Sequence, residues 1–154
     1  MIKLVAYNEE YLALSGKWLR DPEIKELTQT PSFTDEQQIG FFNSLVDRDD
    51  YRIFGLEYSG RKVGAAGLKN IVDRRAEYWG YLGEKELWGK GLGLSIITEI
   101  FAFALSIGVS SVFLKVSPNN IRAIKLYQKV GFEMAGHLDG LCVMEINIGN
   151  KPDV

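Results

Sequence analysis

The chain has 154 residues, 46% of them hydrophobic and 25% charged, the proportions of a globular chain with a packed core rather than of a disordered or fibrous one. Its 18 basic and 20 acidic side chains leave a formal charge of -2, which argues against the clustered positive excess of a nucleic-acid binder. One cysteine, Cys142, and one histidine, His137, exclude an internal disulfide and leave too few soft ligands for a zinc site.

Met1 runs directly into Ile2-Lys3-Leu4-Val5 without a basic leader, and no stretch of about 18 uncharged apolar residues occurs. The expectation is a cytoplasmic protein with neither a membrane nor a nucleic acid as partner. Repeats and Pro/Gly-rich linkers are lacking, so residues 1–150 read as one domain followed by a short tail, 151–154.

In chain order, Ile2 to Ala6 reads as a strand and Glu9 to Leu19 as a helix, with Asp21-Pro22 interrupting the helical pattern. Thr34-Asp35-Glu36-Gln37 has the form of a capping box and opens a helix expected to bury Ile39, Phe42, Leu45 and Val46. Tyr51 to Tyr58, Lys62 to Ile71 and Ala76 to Leu82 read as three strands of an antiparallel meander, the first two joined at Ser59-Gly60. Gly91 to Ile107 is strongly helical, with Ile97, Ile100, Phe101, Ala104 and Leu105 on one face and Gly108 as the stop. Ser111 to Ser117 follows as a strand and Asn120 to Val130 as a helix. A hairpin around Asp139-Gly140, from Phe132 to Leu138 and Leu141 to Ile148, brings the strand count to seven.

The segment Leu87-Trp88-Gly89-Lys90-Gly91-Leu92-Gly93-Leu94-Ser95 is the most informative, because alternate glycines sit where a strand ends and a long helix begins. The unsatisfied N–H groups of a first helical turn, the helix dipole and the charge of Lys90 would together hold a pyrophosphate. Taken alone, the same glycines read as a tight turn without a ligand. The Walker spacing fails, since Gly83 and Gly89 enclose five residues and Gly91 follows Lys90. The dinucleotide fingerprint fails as well, because Gly91 and Gly93 are separated by one residue rather than two.

What the segment resembles is the acetyl-coenzyme A loop of the GNAT superfamily of N-acetyltransferases, Gln/Arg-x-x-Gly-x-Gly/Ala, with Gly91 and Gly93 in the glycine positions. Trp88 stands where that family usually has Gln or Arg. Downstream, Asn120, Ala123, Leu126, Tyr127, Gly131 and Phe132 match the family's Asn-x-x-Ala-x-x-Leu-Tyr-x-x-x-Gly-Phe signature. The resemblance covers nearly the whole chain. It implies an α/β (α+β) fold, a mixed and mostly antiparallel seven-stranded sheet flanked by about four helices, and acetyl-CoA as cofactor with no metal.

The resemblance also implies roles. Backbone amides of Tyr81, Leu82 and Gly83 would receive the oxyanion, and Trp88, Gly89, Lys90, Gly91, Leu92, Gly93, Leu94 and Ser95 would hold the pyrophosphate. Asn120 would hydrogen-bond the pantetheine. Tyr127 would protonate the leaving thiolate, though a core aromatic near a helix end is the plainer reading. Glu77 is the candidate base, and a solvent-facing strand residue is its alternative. Glu84 and Glu86 read as solvated loop residues, His137 and Cys142 as packed or edge residues. Trp18, Phe33, Phe41 and Phe42 are candidates for the acceptor wall, or simply core.

The branch resembled holds ribosomal-protein N-terminal, polyamine and nucleotide-linked amino-sugar acetyltransferases, often dimeric. The short terminal hairpin favours a small-molecule amine, with a nucleotide-linked amino sugar leading. A polyamine or a protein N-terminus is the alternative, the former drawing on Asp35, Glu36, Asp47, Asp49 and Asp50 for an acidic cleft. A non-catalytic acetyl-CoA-binding regulatory module is the alternative of another class.

Overall fold

The computed structural model describes residues 1–149, so the tail expected at 151–154 lies outside the described residues. Strand β1 (Ile2–Ala6) is followed by helices α1 (Glu9–Trp18), α2 (Pro22–Thr28) and α3 (Asp35–Ser44), which ends in a 3-10 turn, Leu45–Asp47. The meander is formed by β2 (Arg52–Tyr58), β3 (Arg61–Val72) and β4 (Arg75–Leu82). After it come α4 (Leu92–Ser106), β5 (Ser111–Val116), α5 (Ile121–Val130), β6 (Glu133–Leu138) and β7 (Leu141–Asn147).

The strands join in one seven-stranded sheet, ordered β1-β2-β3-β4-β5-β7-β6, in which β4 and β5 alone run parallel. Both tight turns carry the positive φ of mirror-image hairpin turns, 50° and 78° at Ser59-Gly60 and 51° and 78° at Asp139-Gly140. Alternation along the strands divides the core between two faces. Ile2 and Leu4 join the main core with Leu56, Leu68, Ile97, Ile100 and Met144. Val5 packs instead with Tyr11, Trp18 and Ile24 from the first two helices.

Three expectations are corrected. Five helices flank the sheet rather than about four, because Asp21-Pro22 begins a helix where the sequence suggested an interruption. Asp21 Oδ1 caps α2 by accepting from the N–H groups of Glu23 (3.0 Å) and Ile24 (3.3 Å), and Pro22 takes the first helical position. The capping box at Thr34 is present, yet α3 buries none of its residues: Ile39 is 51% exposed, and Val46, in the 3-10 turn where helical spacing lapses, is 84% exposed. On α4 the buried stripe is Leu92, Ile96, Ile97, Ile100 and Ala104, which leaves Leu105 facing out.

Tyr11 ties the two faces together. Its buried hydroxyl donates to the Leu56 carbonyl across 2.9 Å, and its ring occupies the space above Gly55, where a Cβ would come within 2.3 Å of the ring atoms. Removing that hydroxyl by Tyr11→Phe should cost about 1 kcal/mol, read as a shift of the urea midpoint. Gly55→Ala should cost more, because the ring must leave its place.

Candidate functional site

The site begins where two strands part. β4 and β5 pair only at Arg75, Ala76 and Glu77, opposite Ser111, Val112 and Phe113, and then continue to Leu82 and Val116 unpaired with each other. Gly83 donates its N–H to the Val63 carbonyl at 2.7 Å, on the β3 side. Antiparallel alternation therefore directs Tyr81 toward β3 as well and turns the N–H groups of Gly80 and Leu82 into the opening. Of the three amides singled out from the sequence, Leu82 is the one aimed at the gap. Gly83 is engaged in the sheet and covered by Trp18, whose ring atoms would lie 2.2 Å from a Cβ there.

A cavity of about 460 Å³ fills the opening, and the N-termini of α4 and α5 form its mouth. The α4 end is bare. Its cap residue, Gly91, has φ 78° and supplies no side-chain hydrogen bond, and Gly89 has φ 76°; without a capping side chain, the first-turn N–H groups are left for water or a ligand. Gly89, Gly91, Leu92, Gly93 and Leu94 line the cavity. Lys90 and Ser95 do not, and the Ser95 hydroxyl instead accepts from the Ile2 N–H at 3.2 Å. Trp88 lines the cavity too and donates its indole N–H to the Leu82 carbonyl at 3.0 Å, so the peptide that follows the Leu82 Cα is held from both sides.

Nearby carboxylates are kept off this mouth. Glu84 and Glu86 bind Arg61, at 3.3 and 3.0 Å. Lys85 bridges Asp21 (2.9 Å) and Glu23 (3.1 Å), tying the loop before α4 to α2 and holding the Asp21 carboxyl below its usual range.

Asn120 and Tyr127 face the same cavity from α5. Asn120 caps that helix, its Oδ1 accepting from the Ala123 N–H at 3.3 Å, which leaves its amide NH2 as the donor toward the cavity. Tyr127 packs edge-on to Tyr78 (centroids 6.4 Å) and Phe132 (5.6 Å), and burial pushes its phenol up to about 12. Tyr78 was not singled out from the sequence. Its ring is buried, it lines the cavity, and its hydroxyl reaches Gly80, where a Cβ would lie 2.6 Å away. Its alternating position in β4 was the available signal. Ile24, Leu27 and Thr28 were missed with α2 itself.

A second cavity, about 420 Å³, opens on the opposite face of β4 between α1, α3 and the strands. Thr28, Gly80 and Tyr81 line both, so the two meet across β4 at the splay. Phe33 and Phe41 wall it as expected from the sequence, joined by Tyr7, Tyr51, Trp79 and Tyr81; Trp18 and Phe42 do not.

Glu77 stands apart from both cavities. It is 5% exposed, accepts from Asn70 at 2.9 Å and lies 3.9 Å from Lys69 Nζ and 4.0 Å from Lys115 Nζ. A bulge in β3, where Asn70 takes φ 52°, brings that amide to it. Asp35 and Asp50 likewise bind Arg20 (2.7 Å) and Arg48 (2.9 Å) and line neither cavity. Among the described residues no cluster of potential metal ligands occurs, and no helix is long and apolar enough to cross a membrane.

A family model for the acetyltransferase (GNAT) family matches residues 16–132. An uncharacterized N-acetyltransferase of Bacillus subtilis, YobR, is 27% identical over 119 residues, 75% of this chain; the chain thus spans about half of that relative, 48% of its length. Among solved structures, spermidine N-acetyltransferase from Vibrio cholerae in complex with CoA and spermine superposes with a TM-score of 0.86 at 21% identity, covering 96% of this chain and 95% of the other. Campylobacter jejuni N-acetyltransferase PseH in complex with acetyl coenzyme A gives 0.75 at 22% identity, covering 96% and 99%. These structural likenesses establish the fold.

Because Glu77 sits between two lysines, Glu77→Gln should keep the Asn70 contact and lose the charge pairing. We expect a destabilisation of about 1–2 kcal/mol in dilute buffer, shrinking as salt is added, measured by urea unfolding at two ionic strengths.

Proposed function

The chain belongs to the GNAT family of acetyltransferases, and from that premise we propose that it transfers the acetyl group of acetyl-CoA to a primary amine on a small molecule, an amino sugar linked to a nucleotide being the leading candidate. The observation that carries this reading is the coincidence of three features on one cavity: the bare glycine-rich start of α4, the unpaired β4 amides and the Asn120–Tyr127 face of α5. No metal takes part in it. The lone buried cysteine suits a reducing, cytoplasmic setting.

The residues fit the coenzyme, which supplies an activated acetyl thioester. First-turn N–H groups from Leu92 to Leu94, left uncapped by Gly91, would hold the pyrophosphate. Gly80 N–H and the Asn120 amide would hold the pantetheine beside β4, at the cavity that meets its neighbour across that strand. Leu82 N–H, turned into the gap, would donate to the carbonyl oxygen as negative charge develops there during attack by the amine nitrogen. As the C–S bond breaks, Tyr127 would give its proton to the sulfur, and the proton shed by the nitrogen as it becomes an amide would return to the Tyr127 oxygen through water. Burial keeps that phenol protonated at neutral pH, and the same desolvation makes a departing thiolate more basic. Glu77 acts in this scheme as an ionic strut joining β4 to Lys69 and Asn70 on β3 and Lys115 on β5 rather than as the base.

The polyamine reading draws on the spermidine enzyme among the structural neighbours. Against it stands the acceptor-side cavity, which has no carboxylate among the described residues of its wall. Thiol release from acetyl-CoA across peptides, polyamines, aminoglycosides and nucleotide amino sugars separates these, with calorimetric titration of the coenzyme alongside. Turnover with amino sugars supports the proposal, turnover with another class reassigns the acceptor, and absence of coenzyme binding overturns it.

Two variants test the assigned parts. Tyr127→Phe should lower kcat about a hundredfold and leave coenzyme affinity near wild type; unchanged turnover would remove Tyr127 from the acid role. Gly91→Val should instead weaken coenzyme binding, because φ 78° strains any β-branched residue and its side chain obstructs the phosphate.

A further inference from the structure

The acceptor-side cavity has an unusual charge inventory. Lys69 is the sole charged side chain among the described residues lining it. Two aromatic walls are backed by cations: Arg20 lies 4.5 Å from the Phe33 centroid and Arg48 5.0 Å from that of Tyr51. The carboxylates that balance these three cations, Asp35, Asp50 and Glu77, stay out of the wall. A ligand with several ammonium groups would therefore lose its hydration here with no carboxylate among the described lining residues to receive it.

One end of the cavity is built from hydroxyls. Tyr7 and Tyr81 both donate to Ser15 Oγ, at 2.9 and 3.1 Å, and Ser15 is 2% exposed. A phenol has one proton, and directing it to Ser15 leaves each tyrosine oxygen able only to accept. Two neutral acceptors thus stand together at the face of the cavity nearest the junction, since Tyr81 lines both cavities. Burial raises both phenols above their ordinary range, so they stay neutral. Beside them on the same face of β4, with its ring stacked on that of Tyr81, Trp79 holds a buried indole N–H without a partner, a donor that a ligand oxygen would satisfy.

We propose that the acceptor is a ring-bearing amine with a single basic nitrogen, bound as the free base with that nitrogen on the oxygens of Tyr7 and Tyr81. The inference rests on the acetyltransferase reading and deepens it. Desolvation without a carboxylate disfavours an ammonium. The charged groups packed around the seat are paired, Lys69 on β3 with Glu77 on β4, Arg48 before β2 with Asp50 and Arg20 after α1 with Asp35, so their fields largely cancel and desolvation decides the protonation state. The amine therefore sheds its proton to water on entry and arrives nucleophilic, with no dedicated carboxylate base. Weakly basic amines, such as those flanked by hydroxyls on a sugar ring, meet this condition at neutral pH. The aromatic walls suit the face of a ring, and the hydroxyls and indole N–H suit its oxygens.

The test compares glucosamine, 2-phenylethylamine and spermidine as acceptors in the full chain, with acetyl-CoA affinity measured by calorimetry. Either ring monoamine should exceed spermidine in kcat/KM by about tenfold or more, and kcat/KM should rise about tenfold per pH unit below the amine's own pKa. Preference for glucosamine identifies a hydroxylated ring, and preference for phenylethylamine an aryl one. Tyr7→Phe and Ser15→Ala should each raise the KM for the amine about tenfold while the KM for acetyl-CoA stays put. Preference for spermidine, or inertness of both ring amines while acetyl-CoA binds, overturns the proposal. A loss spread equally over both KM values would reduce the hydroxyl cluster to a packing role and also overturn it. Failure of acetyl-CoA to bind would strike instead at the acetyltransferase reading beneath it.

Discussion

Everything at the site follows from β4 and β5 pairing at three positions and then parting. A parallel pair continued to the strand ends would take up the amides of Gly80 and Leu82, and no opening would exist between α4 and α5. Divergence leaves those amides unpaired in the middle of a sheet, a position that backbone polar groups occupy only when something else satisfies them. An extended ligand with its own amides can do so, which is why the gap in the ladder and the bare end of α4 belong to one cavity. The sheet holds the gap open by pairing fully on both sides of it, β4 with β3 and β5 with β7.

Trp88 connects the two halves of this arrangement. Its indole N–H engages the Leu82 carbonyl while Gly83 binds Val63 on the far side, so one peptide group is clamped at both ends beside the amide aimed into the gap. The ring also packs in the cluster of Tyr11, Trp18, Ile24 and Tyr81, on the acceptor side of the sheet. A residue that departs from the family's usual Gln or Arg thereby touches both the glycine-rich loop before α4 and the neighbourhood of the second cavity. Spacing alone cannot reveal such a link, because it depends on which way a single carbonyl points.

Local chemistry made much of the fold legible. The capping box at Thr34, the Ser59-Gly60 and Asp139-Gly140 turns and the strand bounds of the meander rest on neighbours in sequence, and they are found where local rules place them. The glycines of the α4 loop and the Asn120–Tyr127 spacing were readable for the same reason. α2 is hard to read locally because Asp21-Pro22 both ends one helical pattern and starts another, the proline standing at the first position of the new helix. Burial on α3 is not legible locally because the helix lies at the rim of the molecule, with Ile39 facing solvent, and of its apolar residues Phe41 alone walls a cavity. The surroundings of Glu77 come from three strands and a bulge, and the Tyr7–Ser15–Tyr81 hydroxyls come from residues 66 apart in sequence, so neither could be read from local pattern.

Amide hydrogen exchange, resolved by residue, tests the central claim most directly. In the chain alone, Gly80 and Leu82 should exchange quickly for residues in the middle of a sheet, while Tyr81 and Gly83 are protected by β3. Addition of acetyl-CoA should slow Gly80, Leu82 and the first turn of α4 together and leave Gly83 unchanged. Protection of Gly80 and Leu82 before any ligand is added, or slowing confined to residues away from the splay, would contradict the account.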